Sequence, residues 1–427
     1  MQTYLVGGAV RDLLMGREPS DRDYVVVGST PDQMIELGFK QVGADFPVFL
    51  HPQTGEEYAL ARLDRKTGNG YSGFTTEIED VSLFDDLQRR DLTCNAIAMD
   101  PVTSEVIDPF GGGRDIQDKV LRHVSKAFRE DPVRVLRIAR LAAKLNFEIA
   151  PETAALCREM VANGELDHLT VERVRQELLK ALNQPSPSRF FTALHEVGAL
   201  RRLFPEVEAL IGQAQPAKHH AEGDAFAHTM MVIDAMHDIV RSDTIAGTLS
   251  GLPTIDLAQN VFAALCHDLG KGQTPVELLP KHHGHEEAGV PVTEVLCERL
   301  KMPGSYQRAA VKATRFHGHV HMAGVMKPKS FVRIFEDMGG LTQLPDMEIV
   351  ARVGLADEIG RIYDREKPYR EHSRFIAVIK VISAVRIGES FSAAQIKEMS
   401  KDRIIEAQRR LRVTAAKAAI SADPQEA

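Results

Sequence analysis

The sequence predicts an α/β head over residues 1–140 followed by an almost wholly helical body. Three observations carry this. Short apolar runs bounded by Gly and Pro recur through the first 110 residues. From about Asp115 the apolar spacing becomes helical nearly to the end. A chain of 427 residues is also too long for one core, so roughly two to four domains are expected.

The expected strands are 4–6, 24–27, 48–51, 57–62, 96–99 and 106–108, punctuated by Gly7-Gly8, Pro47, Pro52 and the Pro109–Gly113 turn. Asp131-Pro132 opens a long helix, with Asp as cap and Pro in the first turn. Residues 167–183 and 188–200 read as amphipathic helices. A polar separator, 213–224, precedes a second helical block that begins near Phe226. Residues 413–427 are Ala-rich and polar and are expected to fray.

Composition narrows the class. Hydrophobic residues make up 44% and charged residues 26%, as in ordinary globular proteins. The net charge is −8, so nucleic-acid binding requires a local basic surface. The four cysteines are far apart with no CxxC pair, which fits a reducing, cytoplasmic setting. No signal peptide is recognisable, and no run approaches the ~18 apolar residues of a membrane span, so no membrane partner is expected.

The first 28 residues carry the sharpest chemistry. A strand runs into Gly7-Gly8, and Arg11 follows one turn into a helix, where it can pair with a phosphate. Asp21 and Asp23, at i and i+2 before an apolar strand, project to one side. Two such carboxylates can share Mg²⁺, a hard cation that takes oxygen ligands and keeps positions for phosphate and water. This is the equipment of metal-assisted nucleotidyl transfer. Glu57 opens another strand and is a candidate third group. Residues 66–74 form a Gly-rich basic loop expected to be mobile. Arg89, Arg90, Asp91 and Asn95 cluster before an apolar strand. On the helix after Asp131, Arg137, Arg140 and Lys144 lie within about 60° of one another, with Arg134 about 60° beyond. An arginine stripe of this kind suits a triphosphate.

These residues resemble the bacterial tRNA nucleotidyltransferase family, the CCA-adding enzymes, in the branch shared with bacterial poly(A) polymerases. The matching motifs are LVGGAVRD, DRDYVVVG, RRDLTCNA and EDPVRVLRIAR, in order over residues 5–140. The resemblance implies that Asp21 and Asp23 bind catalytic Mg²⁺ and that Gly8, Arg11, Arg90, Arg137 and Arg140 contact the nucleotide. It implies that Asp91 senses the ribose, and that Asp131 and Arg134 read the incoming base. That reading has a physical basis. Cytosine and adenine both present an amino donor beside a ring-nitrogen acceptor, whereas uracil and guanine present a carbonyl beside a ring N–H. A carboxylate only accepts and a guanidinium only donates. CTP and ATP are thus the expected substrates and tRNA the expected partner. The implied reaction is attack of an RNA 3′-hydroxyl on the α-phosphorus, with pyrophosphate leaving.

Further along, an apolar helix ends in His267-Asp268, with His228 upstream and Asp357 downstream. Most of the sixteen histidines fall in residues 219–321. Imidazoles and carboxylates together suit a divalent transition metal. The segment resembles the HD phosphohydrolase superfamily, whose signature is H…HD…D. His228, His267 and Asp268 match; Asp357 is the best candidate for the last position. The resemblance implies hydrolysis of phosphate esters (2′,3′-cyclic phosphates, 2′-nucleotides and simple phosphates) with Ni²⁺ or another divalent transition metal, or with Mg²⁺. A decayed scaffold without hydrolysis is the alternative.

The expected fold is therefore an α/β nucleotidyltransferase head (1–140), an all-α neck that binds nucleotide and tRNA (141–215), an HD domain (225–335) and C-terminal helices (336–427). Arg158, Arg173, Arg175, Lys180, Arg201 and Arg202 offer one basic path for tRNA, and Lys397, Lys401, Arg403, Arg409, Arg410 and Arg412 another. Either a monomer or a homodimer is compatible with the sequence. Alternatives to CCA addition are a poly(A) polymerase, a partial CC- or A-adding enzyme, and an RNA-binding protein with inactive sites. The absence of a basic extension before the first strand and the presence of the histidine block argue against the polymerase. Intact Asp21, Asp23, His267 and Asp268 argue against dead sites.

Overall fold

The computed structural model describes residues 1–42, 48–66, 74–78, 80–218, 220–250, 255–362 and 369–422, with backbone alone at 64–66, 74–77 and 246–250. The chain divides into two compact units, Met1–Leu203 and Phe204–Ala427.

The first unit is built on a seven-stranded mixed sheet. Its strands are β1 (Gln2–Val6), β2 (Asp23–Val27), β3 (Lys40–Val42), β4 (Val48–Leu50), β5 (Glu57–Leu60), β6 (Ala98–Met99) and β7 (Val106–Ile107), ordered β3-β4-β5-β2-β1-β6-β7. β1 and β2 are antiparallel, whereas β2 and β5 run parallel. Alternation along β2 splits the core between the two faces. Val25 joins Val6, Ala61, Leu87, Ala96 and Ala98 on one. Val26 joins Met34, Phe49 and Leu60 on the other, where Tyr24 and Tyr58 also stack, centroids 4.5 Å apart. The short polar strand β3 is additional to the sequence expectation. So is a two-stranded hairpin, Leu63–Lys66 with Phe74–Glu77. Between those strands, the rest of the Gly-rich loop lies outside the described residues.

The helix Val133–Leu145 begins as the sequence predicts. Asp131 Oδ1 accepts from Val133 N–H at 3.1 Å, and the Asp131 carbonyl accepts from Arg134 N–H. Its apolar face, including Leu136 and Ala139, is buried. It packs with the helices Val171–Leu182 and Ser188–Glu196.

In the second unit the helices Ala225–Ser250, Leu257–Cys266, His285–Arg299, Gly304–His321 and Leu344–Ile359 pack on one another. Two glycines permit the approaches that matter. A Cβ at Gly354 would lie 2.5 Å from Val320 Cβ, and one at Gly270 would lie 1.9 Å from the His285 carbonyl oxygen. Beyond this bundle, helices Pro328–Asp337, Glu371–Ala384 and Lys401–Ser421 share a core around Phe331, Phe335 and Phe375. The expectation of fraying from residue 413 is corrected here. The last helix continues to Ser421 because Ala416 and Ile420 are buried in that core.

Candidate functional site

The nucleotide-site residues gather at one end of the sheet. Gly7 leaves β1 with φ +71°, ψ −135°, a conformation an L side chain resists. A Cβ there would also come within 3.2 Å of Arg90 Nη1, so the bare backbone lets the guanidinium close in. Asp23 and Glu57 face each other in the parallel register of β2 and β5. Asp21, Asp23 and Glu57 line one cavity of about 700 Å³. Burial and the neighbouring Glu57 and Asp21 push the Asp23 carboxyl above its ordinary pKa, opposed by Arg90. Carboxylates that repel one another in this way fit a hard divalent cation, whose charge would relieve the repulsion.

Asp23 also borders a second cleft of about 550 Å³. Gly8, Arg90, Asp91, Asp131, Arg134 and Arg137 line it. Asp91 accepts from Arg137 Nε at 2.8 Å and from Leu92 N–H at 2.9 Å. Full burial pushes its carboxyl up, but the Arg137 guanidinium with its hydrogen bond, the Arg134 charge and the Asn95 amide hold it down at about 2. Arg134 donates from both guanidinium termini to the backbone, to Ala127 O and Arg89 O, each at 2.8 Å. Its plane is thus fixed by two carbonyls while other N–H groups remain. Asp131 accepts from Arg173 Nη2 at 2.8 Å through Oδ2.

Two expected contacts sit differently. Arg11 is only 3% exposed, and its guanidinium donates to Asp12 and, at 2.6 Å, to Asn95 Oδ1. Arg140 donates to Glu177 at 2.6 Å. Neither lines the cleft. Sequence reasoning missed Asp86, Glu177 and Gln176, and it placed Arg173 and Lys180 on a tRNA path rather than in this cleft. Asp86 is fully buried and accepts from Arg89 through one oxygen and from Arg90 through the other. Its spacing, three and four residues before two arginines on a helix, was a readable signal.

The second unit holds a buried cluster of histidines and aspartates. His228, His267, Asp268, His317 and Asp357 are all at most 3% exposed. His228 Nε2 lies 3.0 Å from Asp357 Oδ1 and 3.9 Å from Asp268 Oδ2. His267 Nε2 lies 3.1 Å from Asp268 Oδ2. His228, His267 and Asp357 can each turn a donor atom to a common point, as can His267, Asp268 and His317. On the far side of His228, Nδ1 meets Glu222 Oε1 at 2.9 Å. Glu222 also accepts from Ile362 N–H. These bonds, with that to His220, hold its carboxyl at about 2 despite burial. A carboxylate behind a ligating histidine fixes tautomer and orientation. Asp357 is also held by Arg361 Nη2 at 2.8 Å and by His321 Nε2 at 2.6 Å. Its carboxyl lies well below the usual range; full burial opposes that, and Arg361 and His321 outweigh it. Lys271 spans Asp268 Oδ2 at 2.5 Å and Gln215 Oε1 at 2.7 Å. Thus Gln215 and Glu222, in the segment read as a polar separator, belong to this cluster. A cleft of about 310 Å³ opens onto it, lined with Lys271, Lys281 and Arg361. His267 Nε2 and Asp268 Oδ1 are buried without a hydrogen-bond partner. Paired with soft-to-borderline nitrogen donors, such orphaned lone pairs fit a divalent transition metal.

The cationic helices are heavily partnered. Arg202 pairs with Asp167, Arg409 with Glu336 and Arg410 with Glu406, and Arg412 lies over the Phe335 ring.

Comparison with known proteins gives a consistent picture. Residues 3–122 match the family described as Poly A polymerase head domain. Residues 146–211 match the probable RNA and SrmB-binding site of polymerase A, and 225–359 match the HD domain. The chain is 47% identical over 406 residues to the multifunctional CCA protein of Dechloromonas aromatica (strain RCB), covering 95% of each. The fold is also that of solved CCA-adding enzymes. The apo form II structure of one has TM-score 0.63 at 20% identity, covering 98% of this chain and 90% of that one. The Bacillus stearothermophilus enzyme in complex with CTP has TM-score 0.61 at 23% identity, covering 97% and 89%.

Proposed function

The chain belongs to the multifunctional CCA protein family, and on that premise we propose that it adds and repairs the 3′-terminal CCA of tRNA from CTP and ATP without a nucleic-acid template, releasing pyrophosphate. The observation that carries this reading is the convergence of Gly8, Asp23, Arg90, Asp91, Asp131, Arg134 and Arg137 on one cleft. Asp21 and Asp23 would hold Mg²⁺ at the junction with the neighbouring carboxylate-lined cavity. Arg90 and Arg137 bind the anionic part of the nucleotide, and Asp91 meets its ribose. Asp131 accepts from the exocyclic amine of cytosine or adenine while Arg134 donates to the adjacent ring nitrogen. Arg11 supports the floor through Asp12 and Asn95, and Arg140 acts through Glu177.

The second unit is proposed to hydrolyse phosphate esters, with His228, His267, Asp268 and Asp357 holding Ni²⁺ or a similar cation. Lys271, Lys281 and Arg361 in the adjoining cleft offer positive charge to a phosphate. When bound, the cations at the two sites supply Lewis acidity, lowering the pKa of an attacking hydroxyl or water and neutralising charge on phosphoryl oxygens. The proposed division is a head over 1–140, a neck over 141–215, an HD domain over 225–335 that recruits Asp357 from beyond its limit, and a C-terminal region over 336–427. A cytoplasmic location follows from a tRNA substrate; among the described residues, no helix is long and apolar enough to cross a membrane.

The test is to offer tRNA lacking its 3′ end with each labelled nucleoside triphosphate in turn. Addition of C, C and A followed by a stop supports the proposal. Continued A addition indicates a polymerase, and no addition indicates an RNA-binding protein with inactive sites.

A further inference from the structure

The short helix Leu83–Gln88 ends at Arg89, on the wall of the nucleotide cleft. It carries two adjacent carboxylates with separate tasks. Asp85 caps the helix start: its Oδ2 accepts from Ser82 N–H at 3.1 Å, and Ser82 Oγ accepts from Asp85 N–H at 3.2 Å. The Asp86 side chain is instead fully buried, and Leu87 beside it packs into the core with Val6 and Ala96.

Spacings of three and four residues bring Arg89 and Arg90 round to Asp86. Oδ1 accepts from Arg89 Nε at 3.0 Å and Nη2 at 2.6 Å. Oδ2 accepts from Arg90 Nε at 3.2 Å and Nη2 at 2.9 Å. One carboxylate thus grips the same edge of two guanidinium groups. Burial pushes its carboxyl up, but the charges and hydrogen bonds of Arg90 and Arg89 hold it below the ordinary range. In return, two long side chains lose their freedom to swing. Arg90 gives Asp86 its Nε and Nη2, which leaves Nη1 beside Gly7, where an added Cβ would come within 3.2 Å of it. The same guanidinium is near enough to Asp23 to oppose the rise of that carboxyl. A cation fixed beside the glycine turn and Asp23 before nucleotide arrives has little orientational entropy left to lose, and it needs no reorganisation as charge develops on the phosphates.

We propose that Asp86 is a positioning residue for nucleotidyl transfer: by gripping Nε and Nη2 of Arg90 it aims Nη1 at the phosphates of the nucleotide, a role that rests on the nucleotidyltransferase reading of the head and deepens it. Full burial keeps Asp86 itself from touching the substrate, so it acts through Arg90.

The test is a double-mutant cycle in the full chain, reading kcat/KM for CTP in single-nucleotide addition to tRNA lacking its 3′ end. Asp86→Leu removes both acceptors; Arg89 and Arg90, with side chains 19% and 21% exposed, can turn to water and so survive the loss. It should lower kcat/KM about 10–100-fold, the scale of one charge-assisted hydrogen bond to the nucleotide. In an Arg90→Ala background the same substitution should change kcat/KM by less than about twofold, because the group through which Asp86 acts is already gone. Asp86→Asn keeps one acceptor oxygen and should fall between the two; it carries the same cycle if a thermal melt shows Asp86→Leu unfolded. An equal loss in both backgrounds makes Asp86 a purely structural residue and overturns the proposal. So does an unchanged kcat/KM in the otherwise unsubstituted chain. Failure of that parent chain itself to add nucleotide overturns the nucleotidyltransferase reading along with it.

Discussion

Arg134→Ala should relax base choice far more than it weakens nucleotide binding. Arg134 spends two of its five N–H groups on the carbonyls of Ala127 and Arg89, which lock its plane at the edge of the cleft. A locked donor opposite Asp131 discriminates because a wrong base leaves buried polar groups unpaired. Hydrogen bonds to charged groups are worth about 1.5–3 kcal/mol each. Losing the match at two positions therefore costs the wrong base roughly 3–6 kcal/mol, a factor of about 10²–10⁴ in kcat/KM. The variant gives up the share that Arg134 supplies, about 1.5–3 kcal/mol or roughly 10–10²-fold, while Asp131 keeps the rest. Arg90 and Arg137 remain, so the KM for CTP should rise much less. The assay is single-nucleotide incorporation into tRNA lacking its 3′ end, comparing kcat/KM for CTP, ATP, UTP and GTP. Thermal melts of Arg134→Ala and Arg134→Lys control for the two carbonyls left without a donor. An equal fall for all four nucleotides, in a folded variant, would refute the reasoning.

Three further outcomes follow from the same geometry. Asp21→Asn or Asp23→Asn should abolish nucleotide addition without lowering the melting temperature, since both side chains line an open cavity and Asp23 is repelled there by Glu57 and Asp21; retained addition counts against their role. Asp91, held at about 2, binds its proton less readily folded than unfolded. It thus contributes stability that is full above its unfolded pKa of about 4 and is lost as pH falls towards 2, about 2 kcal/mol in all. Asp91→Asn should flatten the acid limb of denaturant-measured stability over that range. Glu222→Gln should weaken Ni²⁺ binding about 10–100-fold by calorimetry while CCA addition is untouched, because Glu222 orients His228 from behind; unchanged affinity would make it a purely structural contact.

Much of the head was legible because its elements announce themselves locally. β1, β2 and β5 are apolar runs with clear punctuation, and the Asp131 cap is written in the sequence. β3 escaped because Lys40, Gln41 and a half-buried Val42 at a sheet edge are too few to show an alternation. The last helix was misjudged for the opposite reason. Its alanines look featureless, and only the aromatic core from two other helices gives Ala416 and Ile420 something to bury against. The sites divide in the same way. Residues singled out within a motif, including Asp91 and Arg137, line one cleft and touch each other. The pairings brought about by tertiary packing were missed: Arg173 opposite Asp131, Glu177 opposite Arg140, Glu222 behind His228. Asp357 was named from its residue type, yet its engagement by His228, His321 and Arg361 depends on Gly354 letting two helices meet.

The central claim is that Asp21 and Asp23 grip a divalent cation beside a triphosphate whose base is read by Asp131 and Arg134. A crystal grown with CTP and Mn²⁺ measures this directly through the anomalous signal. The account places Mn²⁺ within bonding distance of both aspartates and cytosine against Asp131 and Arg134. Mn²⁺ away from the two aspartates, or CTP bound outside the Arg137 cleft, would contradict it.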